Sequence, residues 1–391
     1  MNILLIPSWY PKNHTDVGGV FFRDQALVLK AYGHDVCVIS VNSFSIRTLV
    51  KSYQRPPLFE LDEGVPTYRS MVWAALPRVP YGNYLLWKRQ AVRLLDRYVA
   101  EQGMPDIVHA HAAIYAGAVA VEWAKNRGVP VILTEHSTGF ARKVYRPWQL
   151  ALAEKAAAGA DACIAVSPAL GKLLGKELPR SQGRWAWVPN VVASRFADDT
   201  AAIEKGNRPL RFLNLALMTT KKGQMDLLKA FARAFGKSSE RAELWMGGDG
   251  PLRGKLEAHV RELGIAQRVR FLGRVSPVGV PGLLAQVDAM VISSHYETFG
   301  VVAAEALMSG VPVIATRCGG PECIVGEGDG FLVPVRDPDA LASAMRDLVE
   351  RIDQFDSKAI AQRAKDRFSG TAVARQLTAI YDHVLENGRG H

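Results

Sequence analysis

The sequence predicts an α/β protein made of two doubly wound parallel-sheet domains. Three observations lead there. The chain has 391 residues, more than one hydrophobic core usually organises. Short apolar runs alternate with amphipathic runs through both halves, the signature of strand–helix–strand units. A polar stretch at 193–209, holding Asp198-Asp199, separates the two series. Hydrophobic residues make up 48% and charged residues 22%, as in globular domains. No apolar run reaches the roughly 18 residues that read as a membrane span.

In the first half the expected strands are 2–7, 34–40, 107–110, 129–134 and 162–166, each a short apolar run of the buried kind. Met1 to Ile6 lacks a basic start and is too short for a signal peptide, so it reads as the first strand. Helices are expected at 21–32 and 113–127. Ser167-Pro168 supplies a helix cap with proline at the first helical position. The second half repeats the pattern, with strands at 210–217, 242–246, 268–272, 289–293 and 312–315. A helix at 301–308 is stopped by Gly310 and Pro312. Asp337-Pro338-Asp339 imitates a metal-binding pair of acids but follows the turn at 330–334, so it reads as a helix start. The last helix is expected at 371–385.

Four cysteines (Cys37, Cys163, Cys318, Cys323) show neither metal-ligand spacing nor a disulfide framework, and a reducing cytoplasm is the expected setting. The net charge of +10 is uneven. Residues 1–195 hold 23 Lys and Arg against 14 Asp and Glu, whereas residues 196–391 hold 25 against 24. A basic first half points to an anionic partner. No nucleic-acid-binding signature is present, so nucleic acid is not expected. An anionic membrane surface or a lipid-diphosphate acceptor fits the charge better. Within 44–105, Lys51, Arg55, Arg69, Arg78, Lys88, Arg89, Arg93 and Arg97 interleave with Tyr53, Tyr68, Trp73, Tyr81, Tyr84, Trp87 and Tyr98. One reading is a peripheral surface on the inner face of the membrane, or an acceptor surface. The other is a core helix at 84–98, with Leu85, Val92 and Leu95 inward and a solvated basic face.

The most informative run is 294–313. Glu297 and Glu305 stand eight positions apart across a loop-to-helix junction between two strands. Helix N-termini offer unbonded N–H groups and partial positive charge, so an anionic phosphate fits between the two carboxylates. Were the whole interval helical, the two would lie about 12 Å apart along the axis, which suits two ends of an extended ligand. In the first half, Trp9-Tyr10-Pro11 and Gly18-Gly19 fall between the first strand and the first helix, where glycine lets backbone approach a phosphate. His109 and His111 share one strand face, without the third and fourth ligands that zinc needs. Thr134-Glu135-His136-Ser137 closes the next strand.

Glu297-Thr298-Phe299-Gly300, Glu305-Ala306-Leu307, Gly310-Val311-Pro312-Val313 and Gly319-Gly320-Pro321-Glu322 together resemble the E-x7-E region of retaining glycosyltransferases of family 4. The Ser8-Trp9-Tyr10-Pro11 wording is similar to the bacterial polysaccharide transferases of that family, and the resemblance covers nearly the whole chain. It implies the GT-B fold, two Rossmann-like domains facing a central cleft: residues 1–195 for the acceptor, 196–370 for the donor, and 371–391 as a helix crossing back. It also implies domain closure over the donor. The resemblance assigns His111, Glu297 and Lys222 to catalysis. Donor binding falls to Gly18, Gly19, Lys222, Gly248, Arg274, Glu297, Phe299, Gly300, Val301 and Glu305, and the acceptor side to His111, Glu135 and His136. Glu297 is implied to hold sugar hydroxyls, Glu305 ribose hydroxyls, and Lys222 with the N–H groups of 299–301 the diphosphate. The family Arg that usually precedes this Lys is replaced by Leu217, with Arg274 a candidate substitute.

The expected activity is sugar transfer from a nucleotide-diphosphate sugar to a hydroxyl of a glycan or lipid-linked acceptor, with anomeric retention and no metal or other cofactor. Two alternatives stand beside it: a nucleotide-sugar epimerase or hydrolase on the same scaffold, and a non-catalytic sugar-nucleotide-binding partner. The missing Arg favours the last; Glu297, Glu305, Lys222 and His111 oppose it.

Overall fold

The computed structural model describes residues 1–13, 16, 18–45, 57–76, 79–196, 208–236 and 241–388. Lys51, Tyr53, Arg55, Arg78 and the Asp198-Asp199 part of the expected linker lie outside the described residues. The chain divides into two compact units, one formed by Met1–Val191 with Gly370–His391 and the other by Val192–Ser369.

The first unit runs β1 (Asn2–Pro7), α1 (Val20–Ala31), β2 (Asp35–Ser45), β3 (Phe59–Asp62), β4 (Val65–Ala74), α2 (Gly82–Gln102), β5 (Ile107–His111), α3 (Ala118–Lys125), β6 (Val131–Glu135), α4 (Pro147–Gly159), β7 (Ala162–Ala165), α5 (Pro168–Glu177) and β8 (Trp185–Trp187). Its sheet has the order β3-β4-β2-β1-β5-β6-β7-β8. Every pairing is parallel except the β3–β4 hairpin. Helices cover both faces of the central strands, so β5 and β6 are buried at every position, as parallel strands require. The chain turns both ways from β1, which makes the carboxyl ends of β1 and β5 the natural place for a ligand.

The second unit runs β9 (Leu210–Leu215), α6 (Gln224–Phe235), β10 (Ala242–Gly247), α7 (Arg253–Glu262), β11 (Val269–Gly273), α8 (Val280–Leu284), β12 (Ala289–Ile292), α9 (Val301–Met308), β13 (Val313–Thr316), β14 (Gly330–Val333), α10 (Pro338–Glu350) and α11 (Ser357–Phe368). The sheet order is β11-β10-β9-β12-β13-β14, all parallel. Here the switch point lies at the carboxyl ends of β9 and β12. The final helix, α12 (Gly370–Gly388), belongs to the first unit. Its Val373, Ala374, Leu377 and Tyr381 are buried in one core with Ile3, Leu5, Phe22 and Ile107.

Several expectations need correcting. The stretch at 113–127 is not one α-helix, because Ala113–Gly117 is a π-turn and α3 begins after it. The hairpin β3–β4 was hidden in a segment whose aromatic and basic content obscured its alternation. In α2 the inward stripe is Tyr84, Trp87, Ala91, Leu94, Leu95 and Tyr98, aromatic residues at helical spacing. Leu95 is on it, Leu85 is 56% exposed, and Val92 is only partly buried. The basic residues nearby are largely paired: Lys88 with Glu122, Arg97 with Glu101, and Arg69 with Glu60 and Asp62. The core-helix reading therefore describes α2, and Tyr68, Tyr84, Trp87 and Tyr98 are interior rather than surface residues.

Candidate active site

In the second unit the strand ends bring Lys222 and Glu297 together, although 75 positions separate them in sequence. Lys222 ends a 3-10 turn, Thr220–Lys222, after β9. Its Nζ lies 2.5 Å from Glu297 Oε1, and both side chains are largely buried. Ser294 Oγ donates to the same oxygen at 2.6 Å. Glu297 sits before α9, on an isolated parallel bridge to Gly319. Its N–H donates to Cys318 O at 3.0 Å and its carbonyl accepts from Gly320 N at 2.9 Å. The interval from Glu297 to Glu305 is thus only half helical: Glu305 is on α9, partly buried, and Glu297 is not.

Two glycines let these loops close. Gly223 has φ 63, and a Cβ there would stand 1.9 Å from Ser293 O. The turn carrying Lys222 is accordingly seated against the end of β12, where Ser293 Oγ donates to Lys222 O at 2.9 Å and His295 N donates to Lys221 O at 2.7 Å. His295 Nε2 is 2.8 Å from Asp226 Oδ2 in the first turn of α6. A Cβ on Gly320 would fall 2.0 Å from Phe299 O, so the 319–320 loop can press on the start of α9 only without a side chain. Gly300, at φ 95, is the N-cap of α9, and no side chain caps that end. The first N–H groups of a helix have no intrahelical acceptor, so the start of α9, at Phe299, Gly300 and Val301, is chemically suited to an anion.

Gly248 and its neighbours lie beside β9, with Ala216 N donating to Gly247 O at 3.0 Å and Met218 N to Asp249 O at 2.9 Å. Leu217 is 58% exposed in this turn. Arg274 follows the edge strand β11, its side chain 88% exposed and 3.6 Å from Asp249. Asp337 caps α10, accepting from Asp339 N at 3.1 Å and Ala340 N at 2.9 Å, which is the helix start read from the sequence.

In the first unit, β5 and β6 deliver three imidazoles. His109 is buried between Tyr381 Oη and Thr134 Oγ1, each 2.7 Å from a ring nitrogen, and stacks on His111 with ring centres 4.3 Å apart. His111 Nδ1 meets His136 Nε2 at 3.0 Å. Its Nε2 is buried and, among the described residues, has no hydrogen-bond partner. Such an orphan calls for a water or a ligand. Burial lowers His109 and His136 to about 3 and holds His111 well below the usual imidazole range, so all three are neutral at pH 7. Phe21 and Phe22 pack on this group, and Trp9 lies edge-on to both.

Glu135 does not present a free carboxylate to an acceptor. It accepts from Ala113 N at 2.8 Å, His136 N at 2.9 Å and Ser137 N at 2.7 Å. Burial pushes its carboxyl up despite these three donors. The bonds brace the bend after His111, where Ala112 adopts φ 70. Gly18 and Gly19 form the turn into α1, Gly19 at φ 88 as its N-cap. Gly18 N donates to Asp16 Oδ1 at 2.9 Å. Ser294, His295, Asp226 and Ala112 were not picked out from the sequence. Only their places at strand ends, beside picked residues, could have signalled them.

Two family models match. One, described as Glycosyl transferases group 1, covers residues 196–367. The other, described as Glycosyltransferase Family 4, covers residues 18–195. The chain is 28% identical over 366 residues to the putative teichuronic acid biosynthesis glycosyltransferase TuaC of Bacillus subtilis, covering 88% of each. It is 30% identical over 317 residues to D-inositol 3-phosphate glycosyltransferase 2 of Catenulispora acidiphila, covering 74% of this chain and 73% of the relative. Among solved structures, sucrose-phosphate synthase of Thermosynechococcus elongatus aligns with a TM-score of 0.77 at 22% identity, covering 99% of this chain and 100% of that one. Anabaena HepE in complex with UDP aligns at 0.75 and 19%, covering 98% and 100%.

Proposed function

Because the chain belongs to family 4 of the glycosyltransferases and has their GT-B fold, we propose that it moves a sugar from a nucleoside-diphosphate donor to a hydroxyl of a glycan or lipid-linked acceptor, with retention at the anomeric carbon. The observation that carries this reading is the Lys222–Glu297–Ser294 cluster beside the uncapped start of α9. In the proposal the second unit binds the donor. The diphosphate sits on the N–H groups of Phe299, Gly300 and Val301, with Lys222 beside it as a point charge. Glu305 takes the ribose hydroxyls. Oε1 of Glu297 is committed to Lys222 and Ser294, which orients the carboxylate so that Oε2 accepts a hydroxyl of the donor sugar.

The acceptor oxygen bonds to the anomeric carbon as the bond from that carbon to the phosphate oxygen breaks. The acceptor proton passes to the departing phosphate on the same face. Lys222 and the helix start stabilise the charge that grows there, so catalysis is mainly positioning and electrostatics, and no metal is required. The first unit presents the acceptor. His111, neutral and with Nε2 unfilled, accepts from or donates to a substrate hydroxyl, while Glu135 and His136 hold the wall behind it. The similarity to TuaC, named as a putative teichuronic acid biosynthesis glycosyltransferase, supports a place in cell-surface polysaccharide synthesis. The basic charge of the first half supports an acidic acceptor at a cytoplasmic membrane face; sedimentation with anionic liposomes at low and high salt tests that setting. Among the described residues no helix is long and apolar enough to cross a membrane.

Incubation with a panel of sugar nucleotides and acceptors tests the activity. The expected result is nucleoside diphosphate release coupled to an acceptor gaining one sugar mass, its new linkage keeping the donor's anomeric configuration by NMR. Donor binding without release on any acceptor would favour a non-catalytic binding role. Release of free or epimerised sugar would favour the hydrolase or epimerase reading.

A further inference from the structure

The proposed reaction makes no use of three deeply buried charged residues of the first unit. Arg69 is 1% exposed, Arg23 3% and Asp62 7%. They come from different elements: Arg23 from α1, Asp62 from the end of β3 and Arg69 from β4. Asp62 Oδ2 sits between the two guanidinium groups, accepting from Arg23 Nε at 2.9 Å and paired by charge with Arg69 Nη2 at 3.2 Å. Glu60 pairs with Arg69 Nε, and Glu63 lies 3.2 Å from Arg23. The ring of Tyr10, 2% exposed, lies within 5.3 Å of the Arg69 guanidinium and 6.0 Å of that of Arg23.

Each guanidinium also sends one donor to the same stretch of backbone. Arg69 Nη1 donates to Pro11 O at 2.7 Å, and Arg23 Nη2 donates to Asn13 O at 3.1 Å. Both carbonyls belong to the segment between β1 and α1, which ends in the Gly18-Gly19 turn. Burying ion pairs is costly, and apolar residues of similar volume commonly serve stability as well or better. Charges kept at this depth call for a reason beyond cohesion. Two backbone carbonyls need donors at fixed points, and a rigid guanidinium fork can meet a carbonyl and a carboxylate together where an ammonium cannot.

We propose that Asp62, Arg69 and Arg23 form a clamp that fixes the backbone at Pro11 and Asn13, and thereby holds the Gly18-Gly19 turn at the carboxyl end of β1 in its substrate-binding geometry. These three are positioning residues: they act through the backbone and do not meet substrate. The inference rests on the donor-binding role that the family resemblance implies for Gly18 and Gly19, in addition to the donor contacts proposed for the second unit. It makes the β3–β4 hairpin a structural part of the site.

The test compares Arg69→Lys with wild type in the full-length protein. Lysine keeps the charge near Asp62 and Glu60 but cannot hold Pro11 O as well. Hydrogen exchange is followed on peptides covering 8–13 and 18–24, and steady-state kinetics are measured well below the melting temperature. The clamp predicts exchange about tenfold faster or more in those peptides, with β5 and β6 unchanged, and a donor KM raised about tenfold with a smaller change in kcat. Asp62→Glu, which keeps the carboxylate, should leave both closer to wild type than Asp62→Asn. Unchanged exchange in both peptides would overturn the clamp. So would faster exchange spread evenly over the first unit, which is general destabilisation. Faster local exchange with wild-type kinetics would leave the clamp standing and remove Gly18 and Gly19 from donor binding.

Discussion

Three neutral imidazoles in one core make the first unit acid-sensitive. His109 and His136 titrate near 3 in the folded chain and His111 well below its ordinary value, whereas an unfolded chain takes up these protons near pH 6.5. Below that point the unfolded state binds more protons than the native state, so stability falls as pH falls. The loss runs from about 6.5 down to about 3 for His109 and His136. Each ring removes about 1.4 kcal/mol per pH unit within the window, or roughly 2 kcal/mol at pH 5. His109 and His136 together remove up to about 4 kcal/mol at pH 5, a large share of the stability of many domains, and His111 acts in the same direction. Glu135 works the other way, because its raised carboxyl lets the native state keep a proton that the unfolded state releases. Chemical unfolding of the full chain at pH 7, 6 and 5 measures the slope. His136→Asn should reduce it by one proton, and in the folded wild type the ring signals of the three histidines should not move between pH 7 and 5. A midpoint that holds or rises on acidification, or histidine signals that titrate near 6.5 in the native state, would refute the reasoning.

Three further outcomes are expected in the second unit. Gly223→Ala forces a Cβ to within 1.9 Å of Ser293 O at a left-handed φ, so it should cost about 1–3 kcal/mol of stability and lower kcat/KM at least about tenfold by displacing Lys222; wild-type kinetics would deny that the turn indexes this lysine. Lys222→Met removes the cation and should lower kcat by about 10²–10³; an unchanged kcat would exclude Lys222 from leaving-group stabilisation. Glu305→Ala should abolish the melting-temperature rise given by the preferred nucleoside diphosphate, and an undiminished rise would take Glu305 out of the ribose role.

The fold was largely legible in the sequence because parallel strands buried on both faces leave unbroken apolar runs such as Ile3–Ile6 and Ala289–Ile292. The exceptions have physical causes. The β3–β4 hairpin is antiparallel and lies at the sheet edge, where charge and aromatic content follow local partners rather than a buried-strand pattern. Edge strand β8, Trp185-Ala186-Trp187, is too short to show a period. In the site, Glu297, Glu305 and Lys222 stood out because they sit beside glycine turns with distinctive wording. The contacts that define their state did not. The Lys222–Glu297 pair spans 75 positions and the His109–Tyr381 bond spans 272, and no local pattern encodes either. Glu135 looked like a substrate-facing acid, since a sequence cannot show that three backbone N–H groups already fill it. Arg69 looked like surface charge for the same reason.

The most direct measurement is a crystal structure of the protein with a bound sugar nucleotide. The account predicts diphosphate oxygens within hydrogen-bond distance of the N–H groups of Phe299, Gly300 and Val301, with Lys222 Nζ beside them, ribose on Glu305 and sugar on Glu297. A nucleotide bound elsewhere, with the start of α9 facing only solvent or protein atoms, would contradict it.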